Sequence, residues 1–130
     1  MAIELKVLAL AGLLQVVQFF LMAIPANMAL GLKITTGPRD EPIELKGMAG
    51  RLKRAMDNHF ESLVLFTLAV VVVVLGDKSS ALTAKSAYVY LAARVLYVPA
   101  YASGILYVRS LIWGVGFGAT LLMLILALIS

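Results

Sequence analysis

Four polar side chains recur at helical spacing in the stretch RLKRAMDNHFE, residues 51–61. Their separations are three, four and three residues, and they are Arg51, Arg54, Asn58 and Glu61. This spacing stacks side chains along one face of an α-helix. Such a face offers guanidinium groups that fork onto carboxylates, and a carboxylate that can receive an ammonium group. The stripe therefore indicates a site for a small zwitterionic or anionic ligand.

A second polar stripe lies in the stretch AARVLYVPAY. Its members are spaced i, i+3 and i+7, and they are Arg94, Tyr97 and Tyr101. On a helix these three also share one face. The second stripe would add a guanidinium group and two phenol hydroxyls to the same pocket, provided that the two helices face each other.

The composition indicates the environment in which these stripes lie. Hydrophobic residues make up 62% of the 130-residue chain and charged residues 14%, whereas soluble domains have about 25% charged residues. The mean hydropathy is +0.99, so an integral membrane protein is predicted. The chain has no cysteine, so any thiol chemistry must come from a ligand. No nucleic-acid-binding module is recognisable, and no metal site is predicted.

Four apolar runs are long enough to cross a membrane as helices, since each crossing needs about 20 residues. The runs cover residues 7–32, 60–76, 82–108 and 110–130. The valine block at 70–74 would suit a strand in water, but a lone strand in hydrocarbon leaves its backbone unpaired. The sequence therefore predicts an all-α fold, a single four-helix transmembrane domain over residues 1–130.

Two other interpretations of the first run are disfavoured. A signal peptide needs a more basic start and a shorter apolar run than this chain has, because one lysine beside Glu4 precedes the run. A small four-helix multidrug exporter would have a similar length, but such exporters use an acidic residue inside the first span. This span offers Gln15 and Gln18 instead.

The distribution of basic residues predicts the orientation. Four spans put both termini on one side, and loops 33–54 and 108–110 on the other. The loop side carries seven Lys and Arg residues, and the opposite side carries three, at Lys6, Lys78 and Lys85. Because cytoplasmic loops are enriched in positive charge, the loops are expected in the cytoplasm and the termini on the opposite side.

Structural roles are the alternatives for several charged residues. Lys53 and Asp57 fit an ion pair at the membrane interface. His59 lies about 100° around the helix from the first stripe and is also expected at the interface. Arg94 and Glu61 are expected to line the site, to neutralise each other across two helices, or both.

The tyrosines and glycines have structural alternatives as well. An aromatic belt at the membrane interface is the alternative role for Tyr97 and Tyr101. The belt suits three other tyrosines better, namely Tyr88, Tyr90 and Tyr107. Gly114 and Gly118 form a pair of small residues four apart, which predicts close helix packing within the chain or between subunits.

The two stripes resemble motifs of a known family, the membrane-associated proteins in eicosanoid and glutathione metabolism (MAPEG). The family includes microsomal glutathione transferases, leukotriene C synthase and microsomal prostaglandin E synthase. RLKRAMDNHFE is similar to the family's R-x-x-R-A-x-x-N-x-x-E at the start of span two, and AARVLYVPAY to its A-R-x-x-Y-x-x-x-Y in span three. TTGP at 35–38 recurs in some members' first loop. With four spans in the right order, the resemblance covers nearly the whole chain.

The chain departs from the family pattern at two places. Val64 stands where many members have proline. The end of the first span has Asn27 and Lys33, where several members supply an arginine to the ligand. The resemblance therefore implies the fold more firmly than the reaction.

The resemblance implies a homotrimer of four-helix subunits that holds glutathione between adjacent subunits near the cytoplasmic side. Five residues would contact glutathione, namely Arg54, Asn58, Glu61, Tyr97 and Tyr101. Arg51 and Arg94 would support the site. Arg109, eight residues after the second tyrosine, resembles the arginine that stabilises the glutathione thiolate, and Arg54 is the alternative for that role. A guanidinium group beside a thiol favours its charged, nucleophilic form.

The activity that the resemblance implies is that of a glutathione transferase or glutathione-dependent peroxidase. Glutathione would be the co-substrate, and the other substrate would be a lipophilic electrophile that enters from membrane lipid. The alternative is a noncatalytic member that binds glutathione or a lipid, or that serves as a membrane assembly component.

Overall fold

The computed structural model describes residues 1–30, 47–104 and 106–129. These residues form four α-helices: α1 (Ile3–Leu30), α2 (Gly47–Leu75), α3 (Ala81–Ala102) and α4 (Leu106–Ile129). The prediction of an all-α fold with four long helices is confirmed for these described residues. The TTGP motif at 35–38 and the loop cations Lys33, Arg39 and Lys46 lie outside the described residues.

Three of the four helices are both long and apolar enough to cross a membrane. The apolar windows are Ile3–Ile24, Gly50–Leu75 and Tyr107–Ile129. The third helix, α3, has 22 residues, which gives a length of about 33 Å. It is therefore long enough to cross a membrane, and it differs from the other three helices in lacking an apolar window of this kind. It carries Lys85 and Arg94 together with buried hydroxyl groups. Because the buried polar groups of α3 face the other helices, the polar composition does not have to meet lipid.

The turn between α3 and α4 lies at Ser103 and Gly104, earlier than the loop at 108–110 expected from hydropathy. The Ser103 N–H donates to the Pro99 carbonyl over 2.9 Å, and the Gly104 N–H donates to the Tyr101 carbonyl over 3.1 Å. Gly104 has a φ of +77°, a left-handed conformation that glycine adopts without a Cβ penalty. Arg109 therefore lies in the first turn of α4.

Helix α2 extends well beyond the apolar run at 60–76. It begins at Gly47, so the whole stretch 51–61 is helical, as the spacing of its polar residues requires. The charged first half of α2 and its apolar second half thus form one continuous rod.

The helices pack with α2 and α3 in the centre and with α1 and α4 on either side. In the described part of the chain α1 contacts α2 and α3, and α4 also contacts α2 and α3. The core contains a stacked aromatic pair, Phe66 and Tyr90, with ring centroids 3.9 Å apart. Tyr90 is 1% exposed, so its expected place in an aromatic belt is wrong, whereas Tyr88 and Tyr107 are exposed. Packing of this kind stabilises helices in lipid chiefly through van der Waals contact.

A buried carboxylate fixes the first turn of α1 to the start of α3. Glu4 is buried and its Oε2 accepts hydrogen bonds from Ser79 Oγ at 2.6 Å and Thr83 Oγ1 at 3.0 Å. Ser80 caps α3, and the side chains of Ser80 and Thr83 each accept a hydrogen bond from the other's backbone N–H. This end of the bundle, opposite the polar stripes, is therefore held by hydrogen bonds between α1 and the α2–α3 turn.

The glycines of α4 divide between an inner and an outer face. A Cβ at Gly116 would lie 3.5 Å from the Ala93 Cβ, whereas a Cβ at Gly114 or Gly118 would meet nothing within 4 Å. Close packing inside the subunit therefore involves Gly116. The role of Gly114 and Gly118 between subunits stays a prediction.

Candidate ligand-binding site

The start of α2 lies against the end of α3, where Arg51 caps the helix. Arg51 Nη1 donates to the Ala102 carbonyl over 3.3 Å. The Arg51 Cζ lies 3.6 Å from where a Cβ would be at Gly104. The last carbonyls of a helix lack intrahelical partners and carry partial negative charge, so a guanidinium group is favourable there. Arg51 therefore holds α2 and α3 together at this end of the bundle.

Tyr101 lies between two further arginines. Arg54 Nε donates to the Tyr101 hydroxyl over 3.2 Å, and the Arg109 Cζ lies 4.6 Å from the centroid of the Tyr101 ring. The Tyr97 and Tyr101 ring centroids are 5.6 Å apart. The arginine contacts are a hydrogen bond and a cation–π interaction. They bring Arg54 of α2 and Arg109 of α4 to one tyrosine of α3.

Arg94 is buried among the helices and contacts two aromatic rings. Its Nε donates to His59 Nδ1 over 3.2 Å, and its Cζ lies 4.3 Å from the centroid of the Tyr97 ring. Arg94 is 2% exposed, and its buried Nη2 has no hydrogen-bond partner among the described residues. A buried, unpaired guanidinium nitrogen is costly, so it marks a position that a ligand or water would satisfy.

The ion pair between Arg94 and Glu61, one of the two roles expected for these residues, is not formed in the part of the chain that the structure describes. Glu61 is exposed on the subunit surface, and Arg94 takes His59 as its partner instead. The two side chains nevertheless line the same cavity. The Arg94 Nε is directed to His59, whose ring also contacts the backbone of α1.

The prediction that His59 lies at the membrane interface is wrong. Its side chain is fully buried, and its Nε2 is 2.9 Å from the Ala11 carbonyl of α1. His59 lies about 100° around α2 from the stripe, and its side chain points into the bundle because α1 and α3 cover that side of α2. One feature of the sequence could have indicated this burial. A polar residue within a membrane span is costly unless it has a partner, so histidine, like arginine, is expected to find one inside the bundle.

The ion pair predicted outside the stripe is confirmed. Lys53 Nζ lies 2.7 Å from Asp57 Oδ2, and both side chains are about half exposed. Exposed pairs one helical turn apart stabilise a helix by about 0.3–0.5 kcal/mol. The pair therefore serves the surface of α2 and contributes no group to the cavities.

Two adjoining cavities open beside the polar residues, and they share Asn58 and Trp113. The first has a volume of about 430 Å³ and is lined by Asn58, Tyr97, Arg109, Ser110, Trp113 and Gly114. The second has a volume of about 200 Å³ and is lined by residues of α2, α3 and α4, among them Glu61, Leu65, Arg94 and Phe117. Small-molecule sites commonly occupy about 300–1,000 Å³. Both cavities thus combine polar and apolar lining residues.

Asn58 is the residue of α2 that connects the two cavities. It lines both of them, and its buried Oδ1 accepts no hydrogen bond from the described residues. An amide oxygen in this state is an acceptor that is available to a ligand.

The eight residues singled out by the two motifs and by Arg109 lie together where α2, α3 and α4 meet. Seven of them are linked by side-chain contacts or by lining the same cavity, and Arg51 is attached to the end of α3. The eight comprise four arginines and one carboxylate, an excess of three positive charges. Sequence reasoning missed Trp113, which lines both cavities and stacks on Phe117 with ring centroids 5.1 Å apart. The spacing of these two aromatics by four residues was the available signal. A local excess of positive charge favours an anionic ligand.

The helices and the site define a class of protein, an integral membrane helical bundle with a cationic, tyrosine-lined cavity. The particular family follows from comparison with known protein families, in which residues 7–129 match the MAPEG family. The chain belongs to that family, as the two motifs predict, and is a membrane protein of glutathione or eicosanoid metabolism. No curated protein and no solved structure gives a significant match.

Proposed function

We propose that the protein is a membrane-bound glutathione transferase or glutathione-dependent peroxidase that acts on lipophilic electrophiles. The observation that carries the proposal is the cationic cluster around Tyr97 and Tyr101, next to two buried polar atoms without partners, Asn58 Oδ1 and Arg94 Nη2. Glutathione has two carboxylates, an ammonium group and a thiol. Its charges complement those of the site.

Each charged group of glutathione has a complementary group in or beside the cavities. Arginines bind carboxylates as planar forks, and Arg54 and Arg94 supply them, with Arg51 supporting the end of α3. Glu61 and the Asn58 Oδ1 are acceptors for an ammonium group. The Tyr97 and Tyr101 hydroxyls add donors or acceptors beside them. The donor and acceptor set thus fits a zwitterionic tripeptide with a net negative charge.

The reaction requires a thiolate, and Arg109 is our first choice for the group that stabilises it, with Arg54 as the alternative. In a transfer reaction the thiolate sulfur forms a bond to an electrophilic carbon, and the leaving group departs with the electron pair of the broken bond. In a peroxidase reaction the thiolate attacks one oxygen of the hydroperoxide, the O–O bond breaks, and the alcohol leaves after protonation. A second glutathione then attacks the sulfur of the resulting sulfenic acid and displaces water, which gives the disulfide. The apolar part of the smaller cavity, at Leu65 and Phe117, is suited to the lipophilic substrate.

The proposal includes a homotrimer with its arginine-rich end in the cytoplasm. Arg54 and Glu61 are exposed on a single subunit, and charged groups at membrane depth require protein or a wet cavity beside them. The outward faces of Gly114 and Gly118 would allow a helix of a second subunit to approach closely. A neighbouring subunit would complete the site.

The test is glutathione conjugation and peroxide reduction by the purified protein in mild detergent, with a lipophilic aryl halide and a lipid hydroperoxide as probes. Glutathione binding is measured in parallel by calorimetry. Arg54→Leu is the site variant, and Lys6→Leu, at the opposite end of the bundle, is the matched control. Turnover that Arg54→Leu lowers and Lys6→Leu preserves supports the proposal. Binding without turnover supports the noncatalytic alternative, and absence of both refutes a glutathione site.

A further inference from the structure

His59 connects the backbone of α1 to the guanidinium group of Arg94. Its ring lies between the Ala11 carbonyl, 2.9 Å from Nε2, and the Arg94 Nε, 3.2 Å from Nδ1. The side chain is fully buried, so it cannot touch a ligand in the cavities. Any effect of His59 on the site must therefore pass through Arg94.

The two partners fix the protonation of the ring. The Ala11 carbonyl can only accept, so Nε2 carries the proton and donates. The Arg94 Nε can only donate, so Nδ1 must be the unprotonated acceptor. The histidine is therefore neutral and held in one tautomer by a partner on each side. A doubly protonated ring would lose the acceptor for Arg94.

The hydrogen bond to His59 orients the guanidinium group of Arg94 in a way that the contact with Tyr97 cannot. The Tyr97 ring lies 4.3 Å from its Cζ, and a cation–π contact restrains the distance but leaves the in-plane rotation of the guanidinium group free. The hydrogen bond from Nε to His59 fixes that rotation. That hydrogen bond therefore fixes the orientation of the whole guanidinium group of Arg94, which lines the smaller cavity and whose Nη2 has no partner among the described residues.

We infer that His59 is a positioning residue for glutathione binding, which orients the Arg94 guanidinium group toward the ligand. The inference rests on the proposed function. It predicts that the acceptor at Nδ1 matters for the ligand, whereas the donor at Nε2 matters for the attachment of α2 to α1.

Two substitutions by amide residues separate the role of Nδ1 from that of Nε2. In His59→Asn, the Oδ1 is bonded to Cγ as the ring Nδ1 is, so the acceptor for Arg94 is retained and the donor to Ala11 is lost. In His59→Gln, the amide lies one carbon further out, so a donor to Ala11 is retained and the acceptor beside Arg94 is lost. His59→Leu removes both. The readouts are the KM for glutathione, the kcat and the thermal midpoint of the detergent-solubilised protein.

The expected result is a crossover between the two variants. His59→Gln should raise the KM for glutathione by roughly tenfold or more, the size that loss of a hydrogen bond to a charged group gives, while His59→Asn leaves it near the wild-type value. His59→Asn should have the lower thermal midpoint. Equal KM effects, or a larger effect of His59→Asn, would overturn the inference and leave His59 a purely structural residue.

Combination with Arg94→Lys gives a second measurement that does not depend on the amide geometry. If His59 acts through Arg94, His59→Leu should add little to the KM of Arg94→Lys. Fully additive effects would overturn the inference. A wild-type protein that does not bind glutathione would refute the proposed function and with it this inference. Wild-type binding combined with equal effects of the amide variants would refute the positioning role alone.

Discussion

Replacement of Arg109 by leucine tests which arginine activates the thiol. Arg109 is partly buried, lines the larger cavity and is held 4.6 Å from the Tyr101 ring centroid. A thiolate about 4 Å from a unit charge gains about 1 kcal/mol in a water-like dielectric and about 4 kcal/mol at the effective dielectric of a protein surface. Loss of this interaction corresponds to a rise of about one to three units in the pKa of the bound thiol.

The expected consequence is a loss of turnover with a smaller loss of affinity. The carboxylates of glutathione bind in both protonation states of the thiol, whereas a contact to sulfur favours only the ionised form. Arg109→Leu should therefore shift the pH dependence of thiolate formation upward and lower kcat. Arg54→Leu, the matched comparison, should mainly weaken glutathione binding.

The assay is a titration of thiolate absorbance against pH in the wild-type protein and both variants, with glutathione saturating. An unchanged thiol pKa in Arg109→Leu, together with lost glutathione binding, would assign Arg109 to ligand anchoring. If the thiol pKa rises in Arg54→Leu and not in Arg109→Leu, Arg54 is the residue that stabilises the thiolate.

Three further predictions concern assembly, the stripe and the opposite end of the bundle. Native mass spectrometry in mild detergent should show a trimer, and a monomer alone would argue strongly against subunit-shared sites. Glu61→Gln should weaken glutathione binding, whereas Asp57→Asn should change it little because Asp57 is in a half-exposed ion pair; equal effects would remove the case for a functional stripe. Thr83→Val, which removes the hydroxyl that donates to Glu4, should lower the free energy of unfolding by about 1.5–3 kcal/mol without changing the KM for glutathione, and an unchanged thermal midpoint would contradict it.

The sequence by itself determined the class of fold and the positions of the polar stripes. Hydrocarbon leaves the backbone no partner but itself, so long apolar runs must be helices. Helical periodicity then placed Arg51, Arg54, Asn58 and Glu61 on one face whatever the tertiary arrangement. The two motifs likewise sufficed to indicate the MAPEG family, because they depend on residue types at fixed spacing.

Local backbone geometry decided where the third helix ends. Hydropathy continues without a break from residue 82 to 108 and so cannot show a turn. The left-handed Gly104 ends the helical path, and this places Arg109 on α4, within reach of Tyr101. Turns of this kind depend on the dihedral angles of one or two residues. So few residues change little in a hydropathy that is averaged over the length of a helix.

Only the tertiary structure decided the partners of the buried polar groups. Opposite charge made Glu61 the candidate partner of Arg94, whereas His59 was expected at the membrane interface. The side of α2 that α1 and α3 cover is set by packing between helices, and it places His59 rather than Glu61 beside Arg94. A periodic pattern gives the angle of a residue around its own helix, but the neighbour found at that angle depends on how all four helices pack together.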